Sequence, residues 1–316
     1  TGPRQYDPVM GRFLEGDPAA PSNSGRSPFA YAACNPVRML DPGGYQETPA
    51  SGAAAAAPET VVQAGQSLQM NYTDPATGAQ STFNAPTYSE TSPAATRFIE
   101  AVRGGGEVES IDLPPVLQQA VNDRAANSLE TGRENGFVAW EKDGALGVTL
   151  APAGSEGSMG SVLKDTPIPE GASRLGSMHT HPGRNPTHAG AMFSEGDIGS
   201  FLNSGDSFML AVAMKGADSP GPDYMLATMM VRTGSTPTSK AAMLKDSAQV
   251  NAHDAYLRAI GTGAPLTDRS VLDSTRSMGN SLSVGMMSGR MDLPDRRTAR
   301  RTPSVEPIPG WTMRRF

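Results

Sequence analysis

Cysteine is nearly absent from this chain, which contains one cysteine, Cys34, among 316 residues. An internal disulfide is therefore excluded, and so is a zinc site built from several cysteines. Histidine is scarce as well, and its four copies are His179, His181, His188 and His253. Any metal site in this sequence must therefore be built from these histidines and from carboxylates.

Long apolar runs and a strong charge of either sign are also missing. Apolar residues make up 37% of the sequence and aromatic residues 6%, against 35 glycines and 27 prolines. No run approaches the roughly 18 apolar residues of a membrane-spanning helix, and no signal-peptide pattern opens the chain. A net charge of −6 gives no electrostatic sign of a nucleic-acid binder. We expect one packed domain with loop-rich flanks, in a piece of a longer protein because the first residue is Thr1.

Turn signals and composition divide the chain into four parts. Residues 1–45 alternate short aromatic runs with Asp-Pro, Asn-Pro and Gly-Gly pairs, which predicts short strands joined by tight turns. Residues 46–91 are rich in Ala, Pro, Thr, Gly and Ser and are predicted to be a flexible linker. Residues 92–260 carry the regular apolar patterns of a folded domain. Residues 261–316 are predicted to be a disordered basic tail, with seven arginines and three acidic residues over 289–316.

Apolar spacing within 92–260 predicts both helices and strands. Residues 94–102 and 114–129 space their apolar side chains at three and four, which is typical of helices. Residues 137–140 and 146–150 flank a turn signal and are predicted to form a hairpin. The other predicted elements are a strand over 174–178, a helix over 194–203, methionine-rich strands over 207–214 and 224–231, and a helix within 240–260. This order predicts an α+β domain layered as α/β/α.

Two histidines separated by one residue, His179 and His181, form the most informative stretch of the sequence. Side chains two residues apart in a strand point to the same face, so both imidazoles can reach one metal ion. Asp197, in the following helix, would supply a third ligand, and a water molecule would complete a tetrahedral zinc site open for catalysis. Glu134, at the entrance to the strand over 137–140, is the candidate base that would deprotonate this water.

Each of these features also has a plainer structural interpretation. A pair of histidines with one residue between them is more often an ordinary pair than a metal site. Ser194 and Asp197 match a capping box at the start of a helix, although such a start can also aim Asp197 at a metal. Glu134 taken alone would be a solvated carboxylate at the end of a strand.

Other titratable residues compete for these roles. Glu130 and Glu141 lie close enough in sequence to Glu134 to be rivals as the base. His188 falls in a predicted loop, where it either contacts substrate or is solvated. His253 stands alone on a predicted helix, and we expect it to be structural.

Taken in order, these pieces resemble the JAMM or JAB/MPN metallopeptidase pattern. The resemblance rests on residues 134–136 (ENG), 179–182 (HTHP) and 194–197 (SEGD), and it covers roughly residues 92–235. It implies a JAB/MPN-like fold with a mixed sheet. It also implies three zinc ligands, a base that activates water and a serine that polarises the scissile carbonyl, which by position are His179, His181 and Asp197, then Glu134, then Ser194.

The spacing of the last ligand departs from the usual JAMM pattern. Asp197 lies 16 residues after His181, which is longer than the family's ordinary interval. The excess falls in residues 183–192 and is similar to a JAB-like domain of uncharacterised activity that recurs at the ends of Rhs toxins. The resemblance implies an amide hydrolase, and the longer loop gives no basis for carrying the family's deubiquitinase specificity over to this chain.

The first 45 residues resemble a second family, the Rhs-associated core that precedes variable toxin domains. The resemblance rests on residues 4–14 (RQYDPVMGRFL), 31–37 (YAACNPV) and 41–44 (DPGG). In that family the full core forms a β-shell around the toxin. The segment is therefore interpreted as a short, β-rich remnant of such a core.

The same resemblance implies self-cleavage by a pair of aspartates in two Asp-Pro motifs. By position these are Asp17 and Asp41, with the cut after Tyr45, and paired carboxylates that share a proton can activate water. Ala19 and Ala20 stand where the first motif usually ends in glycine, and Tyr45 stands where leucine is usual. The alternative is that these Asp-Pro steps are only turns.

Together the resemblances imply an Rhs toxin C-terminal effector, secreted and delivered into target cells, that hydrolyses peptide or isopeptide bonds with zinc. The expected partners are a cognate immunity protein, the Rhs shell of the parent chain, secretion-system delivery proteins and a protein substrate. Two alternatives stay open: a toxin of other chemistry, such as a nuclease, and a non-catalytic JAMM-like binding module. A zinc nucleobase deaminase is disfavoured because its P-C-x-x-C ligands are absent.

Overall fold

The chain divides into two compact units, Thr1–Glu59 and Thr60–Phe316. In the first unit the computed structural model describes two antiparallel strand pairs, β1 (Tyr6–Asp7) with β2 (Arg12–Phe13) and β3 (Met39–Leu40) with β4 (Thr48–Pro49). In the second unit it describes residues 62–105, 109–159, 161–182, 192–214, 224–262, 268–292 and 311–315. The predicted self-cleavage residues Asp17, Asp41 and Tyr45 lie outside the described residues.

A mixed sheet of ten strands forms the centre of the second unit. In spatial order its strands are β5 (Gln63–Ala64), β8 (Thr87–Glu90), β11 (Ala145–Leu150), β10 (Gly136–Lys142), β12 (Ser173–His181), β13 (Phe208–Met214), β14 (Tyr224–Arg232), β15 (Val284–Asp292), β16 (Thr312–Arg315) and β9 (Ser110–Asp112). Only β12 and β13 pair in parallel among these described strands. A separate hairpin is formed by β6 (Leu68–Thr73) and β7 (Gln80–Ala85).

Helices cover both faces of this sheet. The described residues contain seven: α1 (Pro93–Arg103), α2 (Pro115–Thr131), α3 (Val162–Asp165), α4 (Glu195–Ser204), α5 (Lys240–Met243), α6 (Ser247–Gly261) and α7 (Arg269–Ser281). Phe98 of α1 and Leu117 of α2 share one buried cluster with Leu210 of β13, whereas Phe201 of α4 and Tyr256 of α6 belong to a second cluster. The predicted mixed, layered α/β class is thereby confirmed.

The first two helices begin where the sequence predicts, but they are capped in different ways. Ser92 caps α1 and accepts a hydrogen bond from the Ala95 amide at 3.0 Å. Pro114, the residue before α2, makes no side-chain cap. The Glu90 carboxylate replaces it, because Oε2 accepts from the Val116 amide and Oε1 from the Ser92 hydroxyl, each at 2.8 Å.

Burial of Glu90 has an electrostatic consequence. The side chain is 2% exposed, and burial raises the pKa of Glu90, although the hydrogen bonds from Ser92 and Val116 act in the opposite direction. One carboxylate thus joins β8 to the starts of two helices, in a setting that favours its neutral form.

Two segments that the sequence predicts to be unstructured contain regular structure. Strands β5 to β8 lie within 46–91, and α7, β15 and β16 lie within 261–316. The prediction of a linker and a disordered tail is wrong for these described residues, and the compact unit begins at Thr60. Average composition concealed the pattern in α7, where Val271, Thr275 and Met278 recur at helical spacing and are buried.

The expectation about membranes has a direct counterpart in the structure. Among the described residues, no helix combines the length and the apolar character that crossing a bilayer requires.

Candidate metal centre

His179 and His181 lie at the C-terminal end of β12, between β10 and β13. His179 is opposite Gly136 of antiparallel β10 and Ala211 of parallel β13. Gly136 permits the close approach of β10, because a Cβ there would lie 2.2 Å from the Met178 carbonyl oxygen. The two imidazole centroids are 4.8 Å apart, and both side chains are buried. Strand geometry thus brings the two rings together on one face, as predicted.

Asp197 reaches the histidines from the first turn of α4. The capping box predicted for this helix is present, since Ser194 Oγ accepts from the Asp197 amide at 3.2 Å. Asp197 Oδ2 accepts in return from the Ser194 amide at 2.8 Å and from its hydroxyl at 2.7 Å. The other oxygen, Oδ1, lies 3.2 Å from His179 Nε2. The Asp197 carboxylate therefore fits both the capping-box and the metal-ligand interpretation, because one oxygen caps the helix and the other faces His179.

Contacts from α5 and α6 fix the start of α4. Tyr256 is fully buried, and its hydroxyl donates to the Phe193 carbonyl oxygen at 3.0 Å. Lys240 forms an ion pair with Glu195 at 2.6 Å. These contacts set the direction from which the chain enters α4, and so the direction of Asp197.

The three side chains form a group that could hold a metal ion. One ligand atom from each of His179, His181 and Asp197 lies within 4.8 Å of the other two. Tetrahedral zinc, with bonds of about 2.0–2.2 Å, requires ligand atoms about 3.3–3.6 Å apart. The 3.2 Å between His179 Nε2 and Asp197 Oδ1 is close to this separation.

His179 Nε2 also fits a cation. It is buried and lies 3.2 Å from Asp197 Oδ1, close enough for an ion pair but with poor hydrogen-bond geometry. A metal ion bound at Nε2 would give this nitrogen a better-aligned partner.

The electrostatics of the group are those of a buried His–Asp ion pair. Burial alone lowers the pKa of His179, but the charges of Asp197 and, to a smaller extent, Glu134 outweigh it and the pKa lies above its usual value. Burial alone raises the pKa of Asp197, but His179 and the hydrogen bonds from Ser194 hold it well below its usual range. The pair therefore favours one positive charge beside a fixed negative charge, the role that a bound cation would fill.

Glu134 faces the same histidines from the entrance to β10. The Thr180 amide donates to the Asn135 carbonyl oxygen at 2.9 Å, which continues the pairing of β10 with β12 towards Glu134. By that register Glu134 stands opposite His181, and its side chain is 6% exposed and lines the cleft that contains the histidines. The rival residues do not reach the site. Glu130 is exposed on α2, and Glu141 pairs with Arg103 at 2.7 Å, so neither lines this cleft.

The cleft around the site has a volume of about 1300 Å³. Ser177, His179 and His181 of β12 lie along it, and Ser194, Ser200 and Asn203 are among its lining residues from α4 and its cap. It is large enough for a peptide segment of several residues.

A second polar cluster in the cleft was missed by the sequence analysis. Arg174 Nε lies 2.8 Å from Asp206 Oδ1, and the Ser177 hydroxyl donates to Asp206 Oδ2 at 3.1 Å. Arg174 and Asp206 are 32 residues apart in the chain and belong to no motif, so no sequence signal joins them.

Only one of the two remaining histidines lies in the part of the chain that the structure describes. His188 lies outside the described residues. His253 is buried on α6, with Nδ1 3.6 Å from Asp254, and it is not part of the candidate metal group. The structural role expected for His253 stays a prediction.

Comparison with known proteins identifies no relative of this chain. No protein-family model matches the chain, and neither does any curated protein or any solved structure. The class that the fold and site define is a mixed α/β protein with a His-His-Asp group able to bind a metal ion. A more specific function must be inferred from the chemistry of that group.

Proposed function

We propose that this chain is a zinc-dependent amide hydrolase of JAMM type. The observation that carries the proposal is that His179, His181 and Asp197 meet in one cleft with a second carboxylate, Glu134. Two imidazoles and one carboxylate are a ligand set used by catalytic zinc, with a fourth position left for water. A JAB/MPN-like fold is supported by the mixed sheet, by the helices on both of its faces and by the β10 entrance that sets Glu134 beside the histidine strand.

The chemistry divides between the metal and the residues of the chain. Bound zinc would lower the pKa of a water molecule towards about 7. Glu134 would accept the proton of that water and pass it to the leaving amine. Its burial close to His179 supports this role, because a base needs a fixed position within reach of the water.

Ser194 would act on the substrate carbonyl and on the metal ligand. It lines the cleft, so its hydroxyl is within the space open to a substrate. The same hydroxyl donates to Asp197 Oδ2, which orients the oxygen that faces His179. We therefore assign Ser194 a role in orienting the ligand before substrate binds. Its single hydroxyl proton would turn from Asp197 to the substrate carbonyl to polarise it, while the Ser194 amide continues to donate to Asp197 Oδ2.

The biological setting that we propose follows from the Rhs resemblance of residues 1–45. The chain would be the C-terminal effector of an Rhs toxin, secreted and delivered into target cells, with a protein as its substrate. Its partners would be a cognate immunity protein, the Rhs shell of the parent chain and secretion-system delivery proteins. Asp17 and Asp41 would release the effector by cutting after Tyr45.

Expression of the chain in bacteria tests this function. The unaltered chain is expected to arrest growth, and Glu134→Gln is expected to abolish the arrest, because a general base contributes about 10²–10⁴-fold in rate. Glu141→Gln is the matched control, since it removes a nearby carboxylate that does not line the cleft. Growth arrest by the Glu134→Gln variant equal to that of the unaltered chain would exclude Glu134 as the base.

A further inference from the structure

The β6–β7 hairpin contacts two other parts of the chain: Arg133, which precedes Glu134, and the loop that follows β11. Arg133, the residue before Glu134, donates from Nη2 to Asp74 Oδ1 at 2.5 Å and from Nη1 to Asp74 Oδ2 at 3.1 Å. Its Nε donates to the Gly154 carbonyl oxygen at 2.5 Å. One guanidinium thus joins the hairpin to the loop that follows β11, in a two-pronged geometry that fixes its orientation.

The backbone of Glu134 is bonded to the same loop after β11 that accepts from this guanidinium. The Glu134 amide donates to the Ser155 carbonyl oxygen at 2.8 Å, and the Gly154 amide donates to the Glu134 carbonyl oxygen at 2.8 Å. The Ser128 hydroxyl donates to the Arg133 carbonyl oxygen at 2.7 Å. Because both peptide groups around Glu134 are anchored, the direction of its side chain into the cleft depends on these contacts.

The hairpin itself is well placed to act as a fixed support. The Tyr72 hydroxyl donates to the Ala153 carbonyl oxygen, and Tyr72 packs on a buried cluster that contains Met159 and Val162. At its turn, Asp74 Oδ1 accepts from the Ala76 amide at 2.8 Å. The hydrogen bond from Arg133 and the one from Ala76 hold the pKa of Asp74 below its usual range, so the carboxylate stays ionised at neutral pH.

We propose that Asp74 is a positioning residue for Glu134, and that the β6–β7 hairpin holds the base over the metal site through Arg133. The proposal rests on the proposed function, because it assigns to Glu134 a water molecule on the metal. It also assigns a task to a segment that lies outside the residues of the JAMM resemblance. Asp74 touches neither substrate nor metal and acts only through the segment that carries Glu134.

Two measurements on the full chain test this proposal, and neither needs a substrate. The first is hydrogen exchange of the amides at 133–136 and 153–155, with 175–181 of β12 as an internal reference. The second is the visible absorption spectrum of the protein loaded with Co²⁺ alone, which responds to the group that hydrogen-bonds the metal-bound water. The variants are Asp74→Asn, its conservative counterpart Asp74→Glu, Glu134→Gln and the control Glu141→Gln.

Glu141→Gln is a close match for Asp74→Asn. Glu141 also pairs with an arginine, Arg103, at 2.7 Å, and its Oε1 also accepts from an amide of its own hairpin turn, Gly144, at 3.3 Å. The two substitutions therefore remove the same kind of ion pair at different places on one unit. Asp74→Glu keeps the charge and should retain most of the effect of Asp74.

For Asp74→Asn we expect exchange about two- to fivefold faster at 133–136 and 153–155, the range for a partly exposed ion pair, and unchanged exchange at 175–181. We also expect its Co²⁺ spectrum to shift in the direction of Glu134→Gln, with no shift in the control. Cobalt binding with an unchanged spectrum in Asp74→Asn, or equal effects in Glu141→Gln, would overturn the positioning role alone. Failure of the unaltered chain to bind cobalt would overturn the proposed function and this proposal with it.

Discussion

Replacing Ser194 with alanine separates the structural and the chemical roles of one hydroxyl. The hydroxyl caps α4 by accepting from the Asp197 amide and orients Asp197 by donating to Oδ2. Loss of the cap should lower the free energy of unfolding by about 1 kcal/mol. For a unit of this size that is a fall of about 2–4 °C in Tm.

The effect on metal binding can be worked from the same contacts. Removing a partner that orients a metal ligand typically costs about 10–100-fold in affinity. The backbone amide of residue 194 still donates to Asp197 Oδ2 in the variant. We therefore expect a loss of zinc affinity near the lower end, about tenfold, measured by competition with a chelating dye at pH 7.5.

Ser92→Ala provides the comparison for this prediction. Ser92 also caps a helix, accepting from Ala95, and also donates to a carboxylate, that of Glu90, which is not part of the metal group. It should lower Tm by a similar amount and leave zinc affinity unchanged. Equal zinc affinity in Ser194→Ala and the unaltered chain, or an equal loss in Ser92→Ala, would refute the assignment of Ser194 to the ligand.

Two further predictions concern the rest of the chain. Because burial raises the pKa of Glu90, the stability that its neutral form contributes is complete below the unfolded pKa of about 4.3 and is lost as pH rises through the folded pKa. The free energy of unfolding of Glu90→Gln minus that of the unaltered chain should therefore be more positive at pH 8 than at pH 4 in urea titrations, and a difference independent of pH would contradict this. The proposed Rhs setting predicts that, in a longer chain with a full core, Asp41→Asn blocks release of a fragment that begins at Gln46. Mass spectrometry that finds efficient release in this variant would remove Asp41 from the cleavage.

Local patterns predicted those elements whose apolar spacing is strong. Helices α1 and α2, the β10–β11 hairpin and strands β12 to β14 lie close to their predicted ranges. The hairpin of β6 and β7 was missed because polar residues dominate it, and its few large side chains, such as Tyr72 and Phe83, are only partly buried.

The candidate site shows the same contrast between residues that local spacing predicts and contacts that it does not. His179 and His181 are two residues apart and Asp197 begins the next helix, so spacing alone could bring them together. The ion pair of Arg133 with Asp74 joins residues 59 apart, one just before β10 and the other in the turn between β6 and β7, and only the folded chain reveals it. Sequence thus predicted the candidate ligands and the candidate base, but not the contacts of the segment that carries Glu134.

Metal content tests the central claim most directly. The purified chain, loaded with zinc and freed of excess, is expected to hold one zinc ion per chain by inductively coupled plasma mass spectrometry. His179→Ala and His181→Ala should each lose most of that zinc, while Glu134→Gln should keep it, because Glu134 is assigned to the water and not to the ion. A chain that holds no zinc, or one whose zinc content survives both histidine substitutions, would contradict the metal centre proposed here.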